Sequence, residues 1–220
     1  MEEFNYTVVL IVVEVIFSLI LIKILNKAGA TKSMLLFFGG LFIGWLGLSY
    51  TMVTQGFFSS TSNPQVAFFI AVVIPIILGV SAQKFNTSFA NIIKNIDTKC
   101  FLMLQSSRVV FGILFFFTAS LPIWFQYVGG IGDILAGLSA FIAFKFLTKN
   151  QNKENKAIIK GNIIGILDFI VVLNLGVFIV LENKSPDIIF NLIPLYVVPI
   201  YILLHIFSLQ KLKYEKKYDR

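Results

Sequence analysis

Residues 6–27 read YTVVLIVVEVIFSLILIKILNK. From Tyr6 to Leu25 the run is apolar all round, broken only by Thr7, Glu14, Ser18 and Lys23. An amphipathic helix of a soluble protein shows a polar face, and this segment has none. Its length matches the roughly 20 residues a helix needs to cross about 30 Å of hydrocarbon. The small residues Ala28-Gly29-Ala30 give it the look of a cleavable leader. The acidic start (Glu2, Glu3), the long apolar core and the lysines that follow favour a retained helix with its N-terminus outside.

The same signature recurs along the chain. Of 220 residues, 57% are hydrophobic and 13% charged, and the mean hydropathy is +0.87. That is too little polar surface for a soluble domain. The apolar blocks are also too long and unalternating for a β-barrel. Seven spans are expected: Tyr6–Leu25, Met34–Thr54, Val66–Ala82, Phe101–Leu121, Gly130–Leu147, Gly161–Leu181 and Ile189–Leu209. Together they predict a single all-α transmembrane bundle over residues 1–220, with the lipid bilayer as its principal partner.

Charge placement orients this bundle. Lys23, Lys27 and Lys32 belong to the first connection, Lys84, Lys94 and Lys99 to the third, and Lys145, Lys149, Lys153, Lys156 and Lys160 to the fifth. Lys211, Lys213, Lys216, Lys217 and Arg220 follow the last span. All but two of the 18 basic residues, Arg108 and Lys184, therefore fall on one side. Cytoplasmic loops carry such an excess, so the C-terminus is expected inside. The net charge of +7 is thus spread over helix ends rather than over one face, which argues against a nucleic-acid partner.

In 84–97, the apolar residues Phe85, Phe89, Ile92, Ile93 and Ile96 lie opposite Asn86, Asn91, Lys94 and Asp97. The pattern suits a short helix, either flat on the inner membrane surface or packed as a cap on the bundle. In the outer connection before Gly130, Pro122-Ile123-Trp124-Phe125-Gln126-Tyr127 sets aromatics at a water boundary.

Ionisable residues inside spans are costly, about 2.5–3.5 kcal/mol each at a helix centre, and mark functional positions. Apart from Lys23 and Lys145, which fall just inside inner span ends and can snorkel to water, they are Glu14, Arg108, Asp133, Asp168 and His205. Counted from the inner span ends, Arg108 and Asp168 lie at equal depth, roughly 10 Å, and form the natural ion pair. Asp133, after Gly129-Gly130-Ile131-Gly132, is expected near the outer start of its helix. Two readings of the Arg108–Asp168 pair stay open: a clamp between helices, or a pair lining a cavity that binds a solute or relays protons. Gln105 and Asn162 join Glu14, Arg108, Asp133, Asp168 and His205 as candidate lining of that path. The single cysteine, Cys100, rules out an intrachain disulfide, and the single histidine rules out a multi-histidine metal site. No cofactor is expected. An intramembrane enzyme would need Ser106 or Ser107 to recruit His205.

The motifs Gln105-Ser106-Ser107-Arg108, Leu121-Pro122, Gly130-Ile131-Gly132-Asp133-Ile134 and Gly161-Asn162, with Gly165, Asp168, Pro194, Pro199 and His205, carry a resemblance. Over roughly 105–209 the chain resembles a group of small bacterial multi-pass membrane proteins with no assigned activity. The resemblance implies a bacterial inner-membrane location and no particular chemistry. Read from the residues, the leading expectation is a small-solute carrier or proton-linked permease; the alternative is a non-enzymatic sensor or partner subunit.

Overall fold

A computed structural model describes residues 6–117, 121–146, 151–181 and 191–218, and among them all regular structure is helical. The helices are α1 (Tyr6–Lys27), α2 (Lys32–Thr54), α3 (Phe57–Ser60), α4 (Pro64–Phe85), α5 (Thr87–Asn95), α6 (Thr98–Ser106), α7 (Arg108–Phe115), α8 (Ile123–Phe146), α9 (Gln151–Leu181) and α10 (Val198–Tyr218). Seven segments are long and apolar enough to cross a membrane, with α6 and α7 together making one of them. Lys184 and the connection around it lie outside the described residues, as does Leu147.

The Ala28-Gly29-Ala30 stretch is a helix stop. Gly29 has φ of 94°, and Ala30 N–H donates to Leu25 O at 3.0 Å, closing α1 with a glycine C-cap. The amphipathic segment forms α5. Its apolar face packs inward on protein, with Phe89 against Phe38 of α2 and Phe207 of α10, so α5 is a cap on the bundle.

Four helices depart from the expected spans: α10 runs on to Tyr218, past the expected end at Leu209, and each of the other three departures moves a charged residue. The fourth begins at Thr98 and breaks at Ser107. There the hydroxyls of Ser106 and Ser107 bond back to Met103 O and Leu104 O, and Ser107 N–H reaches Leu104 O, three residues back. Such back-bonding tightens and bends a helix. The fifth, α8, starts at Ile123 rather than Gly130, so the aromatic stretch forms its first turns. Gly129 and Gly130 are mid-helix because α7 crosses there at close range. A Cβ on Gly112 would sit 2.7 Å from Gly130 O, and one on Gly130 would sit 2.9 Å from Gly112 O. Asp133 is therefore ten residues, about 15 Å, into its helix rather than near the start. The sixth, α9, starts at Gln151, ten residues before Gly161.

The last helix lies most deeply in the bundle, whereas Ser49 is the only fully buried residue of α2. It opens with a π-helical turn, Ile193–Val197, in which Val198 N–H donates to Ile193 O five residues back. Pro199 has no N–H to give to Leu195 O, and the turn widens immediately before it.

A candidate charge cluster

Arg108 opens α7 and is fully buried. The tightened turn at Ser107 directs it toward α8 and α9, where Asp133 and Asp168 meet it. Its Nε donates to Asp133 Oδ1 at 2.7 Å, and its Nη2 lies 2.6 Å from the same oxygen. Nη2 also pairs with Asp168 Oδ2, and Nη1 donates to Gly165 O at 3.1 Å. The guanidinium carbon sits 3.8 Å from the centre of the Phe169 ring, a favourable cation–π position. All three guanidinium nitrogens are thus committed within the protein.

The expected ion pair is a triad. Equal depth singles out Asp168, while the later assumed start of α8 hides Asp133. One cation facing two acids leaves the cluster a positive charge short. Asp133 Oδ2 and Asp168 Oδ1 accept no hydrogen bond among the described residues, and both acids line a narrow cavity. Its remaining wall is apolar, from Phe68 of α4, Phe115 of α7, Leu173 of α9, and Ile193 and Pro194 of the π-turn. About 30 Å³ is open to water-sized spheres. That is room for roughly two waters rather than an organic solute.

A second polar group adjoins the cluster through Gly165. A Cβ there would run into the His205 ring and sit 3.1 Å from Arg108 Nη1, so only glycine lets both approach. His205 Nδ1 lies 2.9 Å from Asn162 Oδ1, which also accepts from Gln105 Nε2 at 3.2 Å. Asn162 Nδ2 donates to Ile158 O and Ser208 Oγ. This orients the amide, so its oxygen faces His205 and Nδ1 carries the hydrogen. In the neutral ring Nε2 is then a bare acceptor. His205 Nε2 and Gln105 Oε1 are both buried without a hydrogen-bond partner among the described residues.

Six of the seven candidate positions therefore assemble: Arg108, Asp133, Asp168, His205, Asn162 and Gln105. Glu14 does not. It is fully buried on α1, and neither carboxyl oxygen has a hydrogen-bond partner among the described residues. Ser18, one turn on, donates to Glu14 O and meets the Tyr196 hydroxyl. No hydrogen bond or ion pair among the described residues ties Glu14 to Arg108. Ser107 bonds Tyr201 and Leu104 O, and Ser106 bonds Met103 O, so neither serine engages His205. Sequence reasoning missed Phe169, Tyr201 and Ser208. The aromatic pair is hidden among 24 phenylalanines and seven tyrosines.

A family described as a domain of unknown function (DUF8737) matches residues 64–213. The chain belongs to this family. No curated protein and no solved structure matches it. The DUF8737 region starts with α4, earlier than the resemblance over 105–209 suggests, and holds the triad, the His205 network and the π-turn. Glu14 and all of α1 and α2 precede it.

Proposed function

We propose that this chain is a multi-pass protein of a bacterial inner membrane, with its N-terminus outside and its C-terminus in the cytoplasm, and that it works as a small proton-linked carrier. The lysine alternation supports the orientation, because the one-sided excess persists across seven spans. The observation that carries the function is the triad itself. Two carboxylates share one buried guanidinium at the floor of a small cavity, and a histidine–amide network continues from Gly165 on the other side.

A proton is the ligand that fits. It supplies the missing positive charge, needs no room beyond one or two waters, and has a waiting acceptor in His205 Nε2. A sodium ion would need several oxygen ligands, and the cavity wall is nearly all apolar. Arg108 is too fully committed to hold an anionic substrate. Its role in this reading is to fix the two acids, while Asp133 and Asp168 bind and release the proton.

Reconstitution into vesicles loaded with a pH-sensitive dye tests the reading. Under an imposed proton gradient, with a panel of amino acids, organic acids and amines, the wild type should move protons with at least one solute. Asp168→Asn and Asp133→Asn should each slow that movement at least tenfold, in the range of a lost general acid–base group. If both variants fold and carry protons at the wild-type rate, the reading is wrong.

The complete engagement of Arg108 favours a second reading, in which the triad only clamps α7, α8 and α9 within a sensor or partner subunit. On that reading wild-type vesicles behave as empty ones, and loss of any triad member shows only as lost folding.

A further inference from the structure

At the basic end of the bundle, the end of α4, the cap helix α5 and the end of α10 enclose an open groove of about 560 Å³. Three lysines line it, one from each helix: Lys84, Lys94 and Lys213. No acidic residue is among its lining residues. Lys94 Nζ lies 4.9 Å from the Tyr214 ring centre, and Lys211 Nζ caps the end of α5 on Lys94 O and Ile96 O, which holds the α5 wall against α10. Gln83 and Gln210 add amides, and Gln210 Oε1 is buried with no donor among the described residues.

We propose that this groove binds the headgroup of an anionic, hydroxyl-bearing phospholipid such as phosphatidylglycerol. Three ammonium groups from three elements suit a phosphate. The amides of Gln83 and Gln210 stand beside them, and such groups hydrogen-bond the hydroxyls of a polar headgroup. A soluble phosphate compound would share that headgroup chemistry, but the groove does not end in water on all sides. Ile77, Val80 and Lys84 fall at helical spacing on one face of α4, and Ile77 is 58% exposed, so the lysine-lined wall runs into bare apolar helix. An acyl chain covers such a surface and a free phosphate cannot. The inference rests on the membrane reading above but not on transport or on orientation, because the groove exists whichever way the bundle faces.

Native mass spectrometry of the detergent-solubilised full chain tests it, with phosphatidylglycerol and phosphatidylcholine titrated in parallel. The wild type should retain phosphatidylglycerol preferentially. The triple variant Lys84→Gln, Lys94→Gln, Lys213→Gln should lose roughly a hundredfold of that preference, and replacement of the same three by Arg should keep it. Equal binding of the two lipids by the wild type overturns the proposal. So does a triple Gln variant that still prefers phosphatidylglycerol. Displacement of the lipid by millimolar glycerol 3-phosphate as effectively as by a short-chain phosphatidylglycerol would assign the groove to a soluble anion instead.

Discussion

The indole nitrogen of Trp45 in α2 donates to the carbonyl oxygen of Leu195 at 2.8 Å, across 150 residues of sequence. Leu195 is four residues before Pro199, so this carbonyl has lost its ordinary helical donor. The most exposed span thus supplies the hydrogen bond that the most buried one lacks. Trp45→Phe keeps an aromatic ring, though a smaller one, and removes the donor. The unpaired buried carbonyl should cost about 1–3 kcal/mol, read as a lower melting point in detergent.

Gly165 is the point of closest approach between Arg108 and His205, and no side chain fits there. Gly165→Ala should destabilise the fold by about 1–3 kcal/mol through overpacking and displace His205. Gly161, one turn earlier, gives the control: its added Cβ would meet nothing closer than 3.6 Å. Gly161→Ala should melt at or slightly above the wild type, because alanine favours a helix interior over glycine. Equal melting of the two variants would contradict the packing described here.

Removal of Arg108 alone strands two acids. Arg108→Gln should lose about 3–5 kcal/mol, the cost of an uncompensated buried charge. The triple variant Arg108→Gln, Asp133→Asn, Asp168→Asn should recover most of that loss, because its three groups are neutral. A triple variant as unstable as the single one would mean that the triad is not the source of the effect.

Glu14 presents the opposite case, a buried carboxyl with no partner to lose among the described residues. Glu14→Met should leave the fold intact and raise the melting point, by the equivalent of about 1–3 kcal/mol. A fall in melting point would show that the carboxyl has a stabilising contact in the membrane.

The proposed orientation can be read by cysteine labelling in intact cells, with Cys100 replaced by serine. Ser59, exposed on α3, should react as cysteine with a membrane-impermeant maleimide, and Lys94→Cys should react only after permeabilisation. The reverse result would invert the topology.

The seven long apolar helices are legible in residue order, because hydropathy is a property of whole segments. The site was legible in composition but not in pairing. Arg108, Asp133 and Asp168 stand out as charges in apolar runs, yet their partners depend on where helices start. Gly129-Gly130 reads as a helix start because glycine usually weakens helices. Its actual role, room for the α7 backbone, comes from a neighbour about 18 residues away that local pattern does not register. The π-turn is likewise written in Pro194 and Pro199, but only the Trp45 contact explains how the chain tolerates it.

The spacing of the triad along the chain has a consequence for biosynthesis. Arg108 is made 25 residues before Asp133 and 60 before Asp168. At about 5–20 residues per second, its second acid follows by roughly 3–12 s. A lone guanidinium is poorly tolerated in lipid for that interval. On the membrane reading proposed above, the segment carrying it gains by staying at the insertion machinery until its partners emerge, and α7, α8 and α9 would then enter the bilayer as one unit rather than in turn.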